Sequence, residues 1–227
     1  MSVCLSVVIP AYNECANIGR VIEDARKSIE SRDVQTYEII LVDDGSSDGT
    51  GEAAGKISRD ISNVRAVSHD RNRGLGAALR TGFDNAIGDI ITWIPGDGQF
   101  DLGDVLDGLP QMATKDIVVA LRQGRNELTR SFISSCYHGL IRILFQFEAR
   151  DMCGIYIIKR SVLQEIRPRS NDIFLNLEIP LSCVRRKKAI GTIVLQIKPR
   201  LSGVSKVTNL HTLLRNILEL AKYRFGL

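Results

Sequence analysis

The chain has 227 residues, 44% hydrophobic and 25% charged, with a formal net charge of +4. That length supports one sizeable core, no segment approaches the ~18 uninterrupted apolar residues of a membrane span, and the N-terminus lacks a basic region followed by an apolar signal core. Five cysteines (Cys4, Cys15, Cys136, Cys153, Cys183), odd in number and without C-x-x-C spacing, argue against a disulfide framework or a zinc site and fit a reducing cytoplasm.

Residues 5–9 form an apolar run of strand length that ends in Pro10-Ala11-Tyr12-Asn13-Glu14. Asn17, Ile18, Val21, Ile22, Ala25 and Ile29 then fall at the three-to-four spacing of a helix packed on a sheet. Residues 37–42 predict a second strand, closed by Asp43-Asp44-Gly45-Ser46. Ala53, Ala54, Ile57 and Ile61 predict a second helix, and 64–67 a third strand. This β-α-β-α-β opening implies a largely parallel sheet. A helix over 75–86 leads to a strand ending at Ile94, where Pro95-Gly96 stops the apolar run and delivers Asp97, Gln99 and Asp101. Residues 104–112 read as a helix, 117–121 as a strand and 132–145 as a longer amphipathic helix. Beyond Arg150 the spacing predicts strands at 155–158 and 193–197 and a helix over 174–184. Leu210, Leu213, Leu214, Ile217, Leu218 and Ala221 mark a final helix flanked by Arg215, Lys222 and Arg224.

Charge is unevenly spread. From Pro180 onward ten Lys/Arg face a single acid, Glu219, leaving 20 basic and 25 acidic residues before it, so a segment of net −5 is followed by one of +9. A basic block of this kind suits an anionic partner such as phosphate or an acidic membrane surface, or is a solvated face. Aromatic residues are not interleaved with it, which argues against nucleic acid. The basic final helix suits a membrane interface or packing on the domain.

Three strands ending in acidic turns place carboxylates on one rim, where open α/β sheets bind ligands. Asp97 with Gln99 is a candidate hard-cation site, because Mg²⁺ and Mn²⁺ favour oxygen donors and share their shell with water and substrate phosphate. The plain alternative for both acidic stretches is turn formation and helix capping by Asp48 or Thr50. The stretch from His69 to Ala78 sets basic residues and glycines before a helix start, an anion cradle by its outward backbone N–H groups. It does not match G-x-G-x-x-G, which argues against a nicotinamide cofactor; no P-loop occurs, which excludes that NTPase class, and the lack of a nucleophile elbow argues against a serine hydrolase. His69, His138 and His211 lack ligand spacing and read as structural.

The ordered set Val8-Ile9-Pro10-Ala11-Tyr12-Asn13-Glu14, Val42 to Thr50, Gly74-Leu75-Gly76 and Gly96-Asp97-Gly98-Gln99 resembles the family 2 inverting glycosyltransferases of the GT-A fold. Arg122, Arg130-x-x-x-Ser134, Asp151 to Tyr156, Phe174-x-x-x-Glu178 and Arg200-x-x-Gly203-x-Ser205-Lys206 narrow the resemblance to the polyprenyl-phosphate sugar transferases, the group of dolichol-phosphate mannose synthase. The resemblance implies a Rossmann-like αβα sandwich over residues 1–206, with 207–227 as a C-terminal amphipathic basic helix. It implies that Pro10, Tyr12, Glu14 and Asp44 hold the nucleoside with Val42 lining that pocket, that Asp97 and Gln99 hold Mg²⁺ or Mn²⁺, and that Arg122, Arg200 and Lys206 meet phosphate. Arg130 and Ser134 would contact the acceptor phosphate. Two departures stand out: Pro95 replaces the Asp usual two residues before Asp97, leaving one fewer carboxylate, and Cys153 replaces a hydroxyl or small residue.

The function so implied is transfer of a sugar from GDP-mannose or a UDP-hexose to a polyprenyl phosphate, dolichyl or undecaprenyl, at the cytoplasmic face of a membrane. An ionised phosphate acceptor needs no general base. A soluble or glycan hydroxyl acceptor would need one, for which Asp151 or Glu178 are the candidates. A non-catalytic nucleotide-sugar binder or membrane scaffold is the reading from another class.

Overall fold

The computed structural model describes residues 4–32, 34–122 and 152–196, together with Leu220 and Tyr223. The elements alternate as the sequence predicts: β1 (Cys4–Ala11), α1 (Cys15–Glu30), β2 (Thr36–Asp43), α2 (Thr50–Asp60), β3 (Val64–Ser68), α3 (Leu75–Asn85) and β4 (Ile90–Trp93). They continue as α4 (Leu102–Leu106), a 3₁₀ turn (Leu109–Ala113), β5 (Ile117–Arg122), β6 (Met152–Lys159), α5 (Arg160–Ile166), α6 (Leu175–Arg185) and β7 (Ile190–Leu195).

The strands form a seven-stranded sheet in the order β3-β2-β1-β4-β6-β5-β7. Only β6 runs against its neighbours, pairing antiparallel with β4 and β5, while the other described pairings are parallel. The carboxyl ends of β1 to β5 and β7 therefore lie on one edge, where β6 begins with Met152 opposite Leu121.

The central strands are wholly buried, with Val7, Val8, Ile9, Ile39, Ile40 and Leu41 all at 0% exposure. Burial on both faces is why these strands are continuous apolar runs and lack a period-two alternation. Helix α1 turns Ile18, Val21, Ile22, Ala25 and Ile29 inward, so its three-to-four spacing is the packing stripe itself. Truncating one such buried side chain to Ala costs about 2–5 kcal/mol.

Some boundaries differ from the sequence expectation. The helix expected over 104–112 is two pieces, because the chain turns at Asp107-Gly108 and Pro110 opens the 3₁₀ turn. Asp101, expected at the ligand rim, caps α4 by accepting from Gly103 N at 2.8 Å. Helix α5 was not anticipated, since seven residues give the apolar period too little length. The helix expected over 132–145 lies outside the described residues, as does the final helix apart from Leu220 and Tyr223. Leu220 is fully buried, and the Tyr223 hydroxyl lies 2.7 Å from Ser182 Oγ while Arg185 stacks 5.1 Å from its ring. At Tyr223 the C-terminal stretch packs on α6. Among the described residues no helix is long and apolar enough to cross a membrane.

Candidate active site at the carboxyl rim

Strand β1 lies between β2 and β4, and its last carbonyls tie both neighbours' loops to it. Ala11 O accepts from Asp44 N at 2.9 Å, and Pro10 O accepts from Gly96 N at 3.0 Å. Tyr12 to Glu14, Asp44 and Asp97 thus leave the sheet side by side. The loops after β1 and β2 are laced together: Asn13 N donates to Ser46 Oγ, Ser47 N to Asn13 Oδ1, and Glu14 N to Thr50 Oγ1, each at 2.9 Å. Glu14 Oε2 accepts from Asn17 Nδ2 at 2.6 Å, which fixes one oxygen of that carboxylate. Pro10 is buried at the end of β1, and Val42, in β2, has no exposed surface.

The acids after β2 have different fates. Asp43 Oδ1 accepts from Ser46 N, closing the turn. Asp48 takes donors from Cys15 N, Thr50 N and the Thr50 hydroxyl; burial alone would raise its pKa, but these bonds hold it below the ordinary aspartate value. These two carboxylates are structural, as the turn alternative expects; the N-cap of α2 is Gly49 and has no side-chain cap hydrogen bond, so neither Asp48 nor Thr50 is the cap. Asp44 is buried, and its Oδ1 accepts from Arg73 N at 2.9 Å and His69 Nδ1 at 2.7 Å, while Oδ2 accepts from Gly74 N at 2.9 Å. The 69–74 loop lies directly over it. Gly45, at φ +68°, has no room for a Cβ, which would collide with the backbone of Arg71.

The anion cradle expected from His69 to Ala78 is therefore corrected. Its amides do hold an anion, but at Arg73 and Gly74 the anion is Asp44's own carboxylate. Further on, Ala77 N donates to Asn171 O, and a Cβ on Gly76 would strike the Asp172 carbonyl, so the start of α3 is packed against the 171–172 loop.

Asp97 follows β4, is 5% exposed, and its Oδ1 accepts from Gln99 N at 3.0 Å, a turn that holds the Gln99 backbone against the carboxylate. Among the described residues no three of His, Cys, Asp and Glu converge as a metal cage. One carboxylate and one amide oxygen are hard donors, so the set fits Mg²⁺ or Mn²⁺ shared with a diphosphate and does not fit a cage built by protein alone. Arg122 ends β5 on the same edge, separated from β4 by the start of β6. Arg130, Ser134, Arg200 and Lys206 lie outside the described residues.

Glu178, offered as a base, has both oxygens occupied, Oε1 by Arg169 N and Oε2 by Ser170 N at 2.9 Å each. It anchors the loop that supports α3. Cys153 sits at the rim with its thiol donating to Ala120 O at 3.4 Å, and burial pushes its pKa up, so it is a packing residue there. A cleft of about 970 Å³ opens at the opposite edge, among Arg32, Pro110, Met112, Lys159 and Arg160. It holds none of the residues above and lies at the amino ends of the parallel strands, away from the ligand edge of such sheets.

What sequence reasoning missed is the pairing of His69, read as structural, with Asp44 and Thr81. A histidine without ligand spacing has no motif, and only the return of the chain from β3 to the end of β2 brings it to Asp44.

Comparison with known proteins agrees with this geometry. A family model described as Glycosyl transferase family 2 matches residues 6–167. Dodecaprenyl-phosphate galacturonate synthase of Rhizobium johnstonii is 29% identical over 97% of this chain, and dolichyl-phosphate beta-glucosyltransferase of Saccharomyces cerevisiae 28% over 83%. The chain spans 66% and 65% of those proteins' lengths, just under two thirds. Among solved structures, glucosyl-3-phosphoglycerate synthase of Mycobacterium tuberculosis, in complex with Mn²⁺, UDP and glucosyl-3-phosphoglycerate, superposes with a TM-score of 0.75 over 99% of this chain and 81% of its own, at 21% identity. That likeness gives the fold, a GT-A αβα sandwich. With the family match extending from β1 through α5, the chain belongs to glycosyl transferase family 2.

Proposed function

We propose that this protein transfers a sugar from a nucleotide sugar to a polyprenyl phosphate, with inversion at the anomeric carbon. The observation that carries the reading is the adjacency of β2, β1 and β4, from which Asp44, Tyr12 to Glu14 and Asp97 emerge on one rim. Two relatives act, by their names, with dodecaprenyl or dolichyl phosphate, which supports the acceptor class. Residues 1–206 are the transferase domain in this reading. In the same reading residues 207–227 would be an amphipathic segment whose Arg215, Lys222 and Arg224 suit an anionic membrane surface, at the cytoplasmic face.

In the reaction, an oxygen of the lipid phosphate forms a bond to the anomeric carbon as the bond to the diphosphate breaks on the opposite side, releasing a nucleoside diphosphate. Tyr12, Glu14 and Asp44 hold the nucleoside end, backed by Pro10 and Val42, and so fix the sugar for in-line attack. Asp97 and Gln99 would hold Mg²⁺ or Mn²⁺, which supplies positive charge to the leaving diphosphate. Arg122, Arg200 and Lys206 add charge for the same oxygens, and Arg130 and Ser134 meet the acceptor. No side chain need deprotonate a phosphate already ionised near pH 7. Glu178 is buried, 6% exposed, and tied to the 169–170 loop by a backbone N–H on each oxygen, which supports that mechanism over one using Glu178 as base for a hydroxyl acceptor.

The test is a panel of GDP- and UDP-sugars offered with Mg²⁺ or Mn²⁺ to a short polyprenyl phosphate, with a glycan hydroxyl acceptor in parallel. Label moving to the polyprenyl phosphate is the expected result and also identifies the donor. Transfer to the hydroxyl acceptor alone would overturn the acceptor class, and nucleotide binding without any transfer would favour a non-catalytic binder.

A further inference from the structure

Asp44, His69 and Thr81 form a chain of hydrogen bonds that no step above uses. His69 Nδ1 donates to Asp44 Oδ1 at 2.7 Å, and His69 Nε2 lies 2.9 Å from Thr81 Oγ1 on α3. The Asp44 and His69 side chains are each 5% exposed. The order acid, imidazole, hydroxyl is that of a nucleophile relay, but here the imidazole and carboxylate are equally buried, and the acid is the member that the reading above assigns to the nucleoside.

Counting acceptor positions shows what the histidine does. An ionised carboxylate has about four lone-pair sites, two per oxygen. Among the described residues, Oδ1 takes two donors, Arg73 N and His69 Nδ1, and Oδ2 takes one, Gly74 N. His69 therefore fills the second site of Oδ1 and leaves the remaining one on Oδ2. The two amides belong to neighbouring residues of one loop and grip the carboxylate from one side, whereas His69 approaches from the end of β3 and is held at its far nitrogen by α3. With an amide already on each oxygen, the imidazole adds a third bond, from a different element, that further restrains rotation of the carboxylate.

We infer that His69, steadied by Thr81, is a positioning residue for the donor: it orients Asp44 so that Oδ2 accepts a single hydrogen bond from the nucleoside. This inference rests on the nucleotide-sugar reading above. It assigns a role to a histidine that sequence alone reads as structural.

The test compares H69N and H69Q in the full chain. The Asn amide nitrogen stands near the position of Nδ1 and can still donate to Asp44, whereas the Gln amide nitrogen stands near that of Nε2 and reaches Thr81 instead. Binding of UDP, GDP and inorganic diphosphate is measured by calorimetry, with KM for the nucleotide sugar and for the polyprenyl phosphate. H69Q is expected to weaken the nucleoside diphosphate and raise the donor KM by about tenfold, the scale of one lost charge-assisted hydrogen bond. Inorganic diphosphate binding and the acceptor KM should stay put. H69N should recover the affinity to within about threefold, a partial retention of that bond. Equal weakening in both variants, or parallel loss for inorganic diphosphate, would mean a general structural role and overturn the inference. So would H69Q binding nucleotide like the wild type. A wild-type protein that binds neither UDP nor GDP would instead sink the donor reading, and this inference with it.

Discussion

The two ends of β2 each carry a buried carboxylate, and they differ in one acceptor site. At the amino end, Glu38 Oε1 takes the Ser6 hydroxyl at 2.6 Å and Ile87 N at 2.7 Å, and Oε2 takes Arg65 Nε at 3.1 Å and Nη2 at 2.6 Å. Four donors saturate it. Just past the carboxyl end, Asp44 has three among the described residues. A filled carboxylate can only hold the structure together, by joining β1, β2, β3 and the 85–88 turn. A carboxylate with one site left over, held rigid by the rest, can also hold a ligand. In the proposed reading, the same physics of a buried charge made tolerable by donors serves architecture at one edge of the sheet and recognition at the other.

Breaking the comparison at the rim should have the largest effect. D97A is expected to cut sugar transfer by at least about 10²-fold, the scale of removing a group that stabilises leaving-group charge, while the far-UV spectrum and cooperative unfolding persist. D44A should raise the donor KM by about tenfold or more and also cost about 1–3 kcal/mol in urea unfolding, because the Arg73 and Gly74 amides lose their acceptor. A variant that lost stability but kept the donor KM would place Asp44 with Glu38, on the architectural side.

At the other end of β2, E38Q should lower stability by about 1–3 kcal/mol at neutral pH and leave the donor KM of the folded protein unchanged. Burial pushes the Glu38 pKa up, but the donors from Ile87, Ser6 and Arg65 outweigh it and hold the group below the ordinary glutamate value. A folded-state pKa below the unfolded one means that this stabilisation is complete above the unfolded value and is lost as pH falls through the folded one. The stability gap between wild type and E38Q should therefore narrow in acid, as read from unfolding curves at a series of pH values. R73A should do least. The Arg73 side chain pairs only with exposed Asp70 at 2.6 Å among the described residues, and it is the backbone N–H that grips Asp44. Stability should move by less than about 0.5 kcal/mol, as for exposed ion pairs, and UDP affinity should shift no more.

Sequence reading recovered the parts of this molecule that are local. The continuous apolar runs of β1, β2 and β4 and the stripe of α1 follow from period and length, and the acidic turns after three parallel strands gave the rim. Boundaries slipped where the cause was not periodic: Gly108-Pro110 split a helix, and short α5 left too few residues to count. Which anion the 69–78 cradle holds was beyond reach, because its partner Asp44 is about 30 residues earlier. Register, not composition, brings β3's end over β2's, with His69 N donating to Asp43 O at 2.9 Å. The same holds for Glu178, whose acidity suggested a base and whose loop contacts make it an anchor.

The central claim is that one rim gathers a nucleoside diphosphate and a divalent ion, and calorimetric titration of the full chain with UDP and GDP tests it most directly. The account predicts binding of at least one nucleotide in Mn²⁺ or Mg²⁺ that is abolished by chelator and by D97A. Binding of neither nucleotide at millimolar concentration, or binding indifferent to both metal and Asp97, would contradict it.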